Sequence, residues 1–347
     1  MELGMNCFQL LFRLRGYIMR GKILNLLRSA GEKFISGEEI ANTLGVSRTA
    51  IWKHIKDLRN AGYDIESQSR NGYRIASVPD RLLADEIKNN LSTNIIGTEI
   101  YSFDKVDSTN EKAKEMARKE NIPDGTVLVA EEQTGGKGRL QRSFFSPPDK
   151  GIWFSVVLRP DFLPQEAPKC TLMAAVAVAA AMRESGVECG IKWPNDILDT
   201  GHDNRKLTGI LTEMSAEIDR INYVVIGIGI NVNISLEEFP EDLREKAGSM
   251  LIAKGEKTLR VPFLQNILRH LDRLYLTVKE KGFAPIMEEW RKYSITLGQE
   301  INVIGVTTNE VYSGKAIDID NDGALMVQVG EEIRKVVAGD VSIRPKK

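Results

Sequence analysis

Cysteine and histidine are scarce in this chain, three of each in 347 residues. Cys7, Cys170 and Cys189 are widely separated and odd in number. That argues against a disulfide framework and fits a reducing compartment, the cytoplasm. His54, His202 and His270 are scattered too, so no Cys/His cluster offers a structural zinc site, and no protein-built metal site is expected. Charge of one sign is also lacking: 47 Lys and Arg stand against 48 Asp and Glu, a net charge of −1. Attraction to nucleic acid or membrane must therefore come from a local patch. No apolar run approaches the ~20 residues of a membrane helix. The opening MELGMNCFQLLFRLRG starts with Glu2 and is interrupted by Gln9 and Arg13, which argues against a signal peptide. A helical pattern begins near Met19, so the first eighteen residues read as a translation-start artefact. No low-complexity tract or repeat is present.

What is there reads as an α+β chain in three segments. Residues 19–78 carry three helices and a hairpin. Ile23, Leu24 and Leu27 share one face of the first helix. Ser36 and Glu39 make a capping box for the second, which stops at Gly45. Ser47 caps a third whose buried stripe is Ile51, Ile55 and Leu58 and whose other stripe holds Arg48, Thr49, Trp52, Lys53, Lys56 and Arg59. Helix, tight turn, helix is the helix-turn-helix pattern, and the hairpin around Asn71-Gly72 would be its wing. A charged helix face is often merely solvated. Here the cations concentrate on the helix that would enter a major groove, which makes Ser47, Arg48, Thr49, Trp52, Lys53, Lys56 and Arg70 candidate DNA contacts. Arg74, beside the turn, would reach phosphate.

Residues 80–294 alternate short Val/Ile-rich strands with helical runs, a mixed domain on one sheet. Residues 296–347 hold four or five short strands and fit a small β-barrel.

Three stretches of the middle segment carry chemistry. EEQTGGKGRLQRSFFSP, residues 131–147, places Lys137, Arg139 and Arg142 among Gly135, Gly136 and Gly138. Glycines let backbone N–H groups approach a ligand and the cations supply charge, so the loop would hold a phosphate. It is neither a Walker loop, since Gly138 follows Lys137, nor a dinucleotide fingerprint, since Gln141 stands at the third glycine position. In IKWPNDIL, Pro194 forces a strand end, with Lys192 at that end and Asn195-Asp196 in the turn. GIGINVN, residues 227–233, places two glycines inside a strand, for close approach of a ligand or for a bulge.

DSTN at 107–110, EEQTGGKGR at 131–139, KWPND at 192–196, RKLTGILTE at 205–213 and GIGINVN, in that order, resemble the biotin–protein ligase family. The winged helix before them and the small barrel behind resemble its longer, bifunctional members, which also repress biotin genes. The resemblance implies biotin and ATP as substrates, with Mg²⁺, and a biotinyl-adenylate intermediate whose acyl group passes to a lysine of a carboxylase's biotin carrier domain. It also implies operator DNA as a partner, a homodimer when the adenylate is bound, and no membrane. By similarity Ser108, Thr109 and Gln133 would hold biotin's ring, although Ser108-x-x-Glu111 is also a capping box. Gly136, Lys137, Gly138 and Arg139 would fold over biotin and the phosphate, and Gly209, Gly227 and Gly229 would line the pocket. Arg139 and Lys192 would be catalytic, and Arg139, Lys192, Asn195 and Asn231 would meet the nucleotide. Residues 239–255 are a candidate cover for adenine. The loop departs from the family's Gly-Arg-Gly-Arg-x-Gly…Trp: Lys137, Gln141 and Phe144 replace the first Arg, the last Gly and the Trp, and lysine loses the bidentate fork. Three other readings stand beside this one: a ligase whose N-terminal module does not regulate, a lipoate-type ligase, and a ligand-binding regulator without catalysis.

Overall fold

The computed structural model describes residues 7–69, 71–119, 121–305, 310–338 and 341–345. The chain divides into two compact units, Met1–Asp80 and Arg81–Lys347.

The first unit comprises α1 (Cys7–Ala30), α2 (Gly37–Leu44), α3 (Arg48–Asn60), β1 (Asp64–Gln68) and β2 (Gly72–Ser77). Ser36 Oγ accepts the Glu39 amide at 3.0 Å and Ser47 Oγ the Ala50 amide at 3.2 Å, so both caps form as read. Gly45, at φ 67°, ends α2 in the left-handed region. Ile23, Leu24, Leu27, Ile40, Ile51, Ile55 and Leu58 are buried together as its core. β1 and β2 pair antiparallel, and Ile35 bridges to Tyr73. Gly72 must be glycine: its φ is +106°, and a Cβ there would lie 2.0 Å from Ile35 O.

In the second unit a seven-stranded sheet has the order β3 (Ile100–Val106), β4 (Thr126–Gln133), β5 (Gly151–Leu158), β9 (Ile221–Asn231), β8 (Lys206–Ala216), β7 (Asp196–Asp199), β6 (Cys189–Lys192). β3 and β4 run parallel, and the other neighbours are antiparallel. Helices fall on both faces. Ala113, Met116 and Ala117 of α5 (Thr109–Lys119) pack on Leu128, Val157, Tyr223 and Val225. Side chains alternate across a sheet, so Thr212, next to Glu213 whose partner is Val225, faces the other way. There Thr212 Oγ1 meets Thr171 of the buried, alanine-rich α6 (Lys169–Glu184) at 2.8 Å. α8 (Arg260–Lys281) and α9 (Ala284–Tyr293) pack against α6. Two short helices, α4 (Ala84–Lys88) and α7 (Met250–Lys254), complete the set.

The last segment forms an antiparallel sheet, β13 (Glu332–Val336), β12 (Leu325–Val329), β11 (Val311–Ile319), β10 (Glu300–Gly305), β14 (Val341–Pro345). It confirms a small all-β segment of five strands. Among the described residues its two end strands, β13 and β14, are not hydrogen-bonded to each other.

Candidate functional site

α5 covers only part of its face of the large sheet. Where it stops, a cavity of about 340 Å³ opens on the same face. Its floor follows from register. Gly209 pairs across with Gly229, and Gly227 with Leu211 and Ser155, so the odd positions of β8 and β9 present glycines upward. No bulge interrupts either ladder there. Each glycine makes room for a particular neighbour. A Cβ on Gly229 would meet the Phe144 ring at 2.6 Å and one on Gly209 would meet it at 2.9 Å, so the two form the shelf on which that ring lies. A Cβ on Gly227 would strike Asn110 Oδ1 at 2.1 Å.

Ser108, Thr109 and Asn110 of the DSTN stretch line the cavity. Thr109 donates to Gln133 Oε1 through its amide at 2.9 Å, and its hydroxyl lies 3.1 Å from the same oxygen. Gln133 Nε2 donates to Ser146 Oγ at 3.0 Å. Ser108 is 3% exposed and lines the wall. The Ser108–Glu111 capping box does not form among the described residues. Glu111 instead holds Lys137 Nζ at 2.7 Å and Lys114 Nζ at 3.0 Å. Those two cations keep the Glu111 carboxyl below the usual glutamate range, the hydrogen bond from Lys137 being the larger cause. The pair therefore ties the glycine loop to α5. Its contribution is present above the ordinary glutamate pKa near 4.5 and is lost as pH falls through the depressed value. We expect the glycine loop of Glu111→Gln to be cleaved faster than the parent's by a trace protease at pH 7. The two should converge once the pH has fallen below the depressed value of Glu111, where the parent's carboxylate is protonated.

The cations from the other motifs line the same cavity. The KWPND turn joins β6 to β7 through a cis Trp193–Pro194 peptide. Asp196 is already the first residue of β7 rather than part of the turn. Arg139 Nη1 donates to Asn195 Oδ1 at 3.2 Å, and its Nη2 donates to the Ala338 carbonyl just before β14. Burial lowers the Arg139 pKa, partly offset by Asp196. Asn195 is itself fixed, since its Nδ2 donates to Ile210 O at 2.9 Å. Trp193 anchors the turn, with its indole N–H on Gly323 O at 3.1 Å and its amide on Thr296 Oγ1 at 2.9 Å. Lys192 and Arg139 line the same cavity, as read from two separate motifs.

Of the other expected residues, Lys137, Gly138, Gly209, Gly227, Asn195 and Asn231 line the cavity. Asn231 Nδ2 donates to Gly248 O at 2.9 Å and so fixes the 239–255 segment, from which Phe239, Leu243, Lys246 and Ala247 complete the wall. Gly136 packs behind it, where a Cβ would meet Phe144 O at 2.6 Å and Ser146 Oγ at 2.9 Å. The sequence reading gave no role to two contributors, Lys206 and Asn110. Lys206, within the quoted RKLTGILTE, points its ammonium 2.6 Å from Asp196 Oδ1 and 5.9 Å from the centre of the Phe144 ring. Arg142, named from the sequence as a cation of the glycine loop, lines the cavity as well. Asn110, quoted in DSTN but given no role, is a buried part of its lining.

In the first unit, Ser47, Arg48, Thr49, Trp52, Lys53 and Lys56 are all exposed on α3. Lys56 Nζ lies 5.7 Å over the ring of Trp52, which is 56% exposed. Two cations assigned to the DNA-facing side are used elsewhere. Arg59 donates to Ile65 O at 2.9 and 2.5 Å and to Ser67 Oγ at 3.2 Å, which ties α3 to the wing. Arg74 pairs with Glu66 at 2.6 Å and stacks 5.0 Å over Phe34. Arg70 lies outside the described residues.

The described parts of this architecture match known models in chain order. Residues 20–74 match the HTH domain, 102–231 the biotin/lipoate A/B protein ligase family, and 296–344 the biotin protein ligase C-terminal domain. The ligase model defines the class. A Bifunctional ligase/repressor BirA of Bacillus subtilis is 42% identical over 94% of this chain and 98% of its own length. Its namesake from Escherichia coli is 29% identical over 93% of this chain and 96% of its own. The solved biotin protein ligase from Aquifex aeolicus in complex with biotin and ATP covers 72% of this chain and 100% of its own, at TM-score 0.62 and 28% identity. The chain belongs to the family of bifunctional biotin–protein ligase/repressors.

Proposed function

We propose that the cavity activates biotin with ATP and passes it to a lysine of a carboxylase's biotin carrier domain. The observation that carries this is that Arg139, Lys192 and Lys206, from three motifs, line one cavity together with Ser108, Thr109 and Gln133. In the first half-reaction a carboxylate oxygen of biotin attacks the α-phosphorus, and the bond to pyrophosphate breaks. Negative charge gathers on the carboxylate and α-phosphate, where fixed cations in a partly dry site lower the barrier. In the second, the neutral carrier amine attacks the acyl carbon, AMP leaves, and the amine's proton is released. Arg139, held by Asn195, would span the two reacting groups. Lys192 and Lys206 would take the phosphate side, with Asn231 holding the nucleotide end in shape.

Mg²⁺, when bound, would neutralise phosphate charge. Asp196 is the carboxylate that the lining residues offer it, beside ATP's own oxygens. Among the described residues no group of three metal-ligating side chains exists, so the ion fits as one carried by the nucleotide.

The exposed stripe of α3 would read operator DNA in the major groove, with the chain pairing as a homodimer once the adenylate closes the loops. Boundaries near residues 78 and 295, closure of the last sheet into a small barrel, and a cytoplasmic location belong to the same reading. No described helix is long and apolar enough to cross a membrane.

The test is incubation with ATP, labelled biotin and a purified carrier domain, followed by a gel shift on the biotin operator with biotin and ATP. Labelled carrier and a ligand-dependent shifted band are expected. An unlabelled carrier would end the ligase reading, lipoyl transfer would replace it with the lipoate one, and labelling without a shifted band would leave a ligase that does not repress.

A further inference from the structure

In and behind the cavity wall runs a buried row of polar side chains, of which only Thr109 has a part in holding biotin. Thr109 is 3% exposed, Asn110 5% and Ser155 0%. Their contact depends on a missing side chain. Ser155 pairs across β5 and β9 with Gly227, and the Asn110 carboxamide fills the space a Cβ would take there. Donor and acceptor identities then fix every proton in the row. Asn110 Nδ2 faces Leu211 O at 3.2 Å and Glu213 Oε2 at 2.9 Å, both of which only accept, so the amide has one orientation. Its Oδ1 must accept, and Ser155 Oγ donates to it at 2.6 Å. With its one proton so placed, Ser155 Oγ can only accept from Thr109 Oγ1, 2.8 Å away. Gln133 Oε1, 3.1 Å from the same hydroxyl, also only accepts. The single Thr109 proton thus has two protein acceptors, and an occupant meets only a Thr109 lone pair. Gln133 is set in the opposite sense. Its Oε1 takes the Thr109 amide, and its Nε2 gives one proton to Ser146 Oγ, whose own proton goes to Phe144 O at 3.1 Å. The second Nε2 proton is what Gln133 has left to offer.

We infer that Asn110 and Ser155 are positioning residues that polarise Thr109 as an acceptor beside Gln133 as a donor, the complement of the N–H/C=O edge of a cyclic urea. The inference rests on the proposed biotin chemistry and deepens it by naming what selects the ring. A dithiolane ring offers neither group. A cyclic carbamate, with oxygen in place of the N–H, sets lone pair against lone pair, and a site built for an N–H rejects an analogue that lacks it.

The experiment measures binding of the full chain to biotin and to the two cyclic carbamate analogues in which either ureido N–H is replaced by oxygen, together with steady-state adenylation. The parent should bind at least one carbamate ~100-fold more weakly than biotin. In Ser155→Ala the Thr109 proton keeps only its more distant acceptor, Gln133 Oε1 at 3.1 Å, and the hydroxyl is held less firmly as an acceptor for the occupant. KM for biotin should rise about tenfold, with kcat and KM for ATP changed by less than about twofold, and the biotin-to-carbamate ratio should fall to ~10 or below. Ser155→Cys, a weak donor of similar volume, should fall between the two, and it carries the comparison if the alanine variant does not fold. A folded Ser155→Ala or Ser155→Cys chain that keeps the parent's KM for biotin and its full discrimination would overturn the inference. A parent chain that does not bind biotin at all would instead overturn the functional reading on which it rests.

Discussion

Arg139→Met lowers the rate of adenylate formation by about 10²–10³-fold, the usual loss when one pre-oriented donor is removed from developing charge. The side chain has the geometry for a large effect. It is partly buried, its fork is held on one side by Asn195 Oδ1 at 3.2 Å and on the other by the Ala338 carbonyl, and it lines the cavity shared with Lys192 and Lys206. Held from two directions, the guanidinium does not have to be reorganised at the moment of reaction. Arg139→Lys should recover only part of the loss, since an ammonium keeps the charge but cannot contact Asn195, Ala338 and two substrate oxygens together. Pre-steady-state release of pyrophosphate reads the step directly. A methionine variant within about threefold of the parent would remove Arg139 from the chemistry.

Arg260→Met destabilises the second unit by about 3–5 kcal/mol, the range for removing one partner of a buried ion pair. Arg260 and Glu131 are 1% and 5% exposed, with Nη1 to Oε2 at 2.7 Å. Arg260 Nη1 also donates to Gly151 O at 3.2 Å, and Glu131 Oε1 accepts the Leu82 amide at 2.6 Å. Removing the guanidinium therefore leaves a carboxylate in the core of β4, two residues before Gln133, with only one backbone donor in place. Burial pushes the Glu131 carboxyl pKa up even with Arg260 beside it, which points the same way. Without the cation the rise is larger. The variant should take up a proton there and lose more stability at pH 8 than at pH 5, because a carboxyl whose folded pKa is raised costs stability as pH climbs past its unfolded value. Urea melts at the two pH values measure this. The double variant Arg260→Met/Glu131→Gln should be more stable than Arg260→Met, since no charge is then left alone.

The parts of the molecule legible in the sequence are those that local rules govern. Ser36, Gly45 and Ser47 mark helix ends because a cap concerns a few consecutive residues, and all three act as read. β5 forms over Gly151–Leu158, the Val-, Ile- and aromatic-rich run GIWFSVVL, and is buried on both faces. Three helical runs of the second unit are legible, residues 108–118, 174–183 and 263–279, and α5, α6 and α8 form there with ends a few residues away, whereas α9 (Ala284–Tyr293) is not among them. Within the site, glycines and cations stood out in four separate stretches, and most of those residues line one cavity.

Less legible was what each residue does once the stretches meet. Arg59 and Arg74 follow the basic pattern of a DNA-facing surface, yet the wing and its neighbours take both. Lys206 begins β8 and Asn110 lies in the first turn of α5, and neither position in the sequence reveals what the side chain will meet. The chain's order of residues by itself determined the caps, the strand and helix types, and the supply of glycine and positive charge. Only the tertiary structure decided that Gly227 leaves room for Asn110, that the proton of Thr109 is held from behind, and that Arg139 is gripped by residues 56 and 199 positions away. Sheet register is the physical reason. It brings residues on distant strands to within hydrogen-bonding distance on one face, and a hydrogen bond's direction depends on what both partners have left to give.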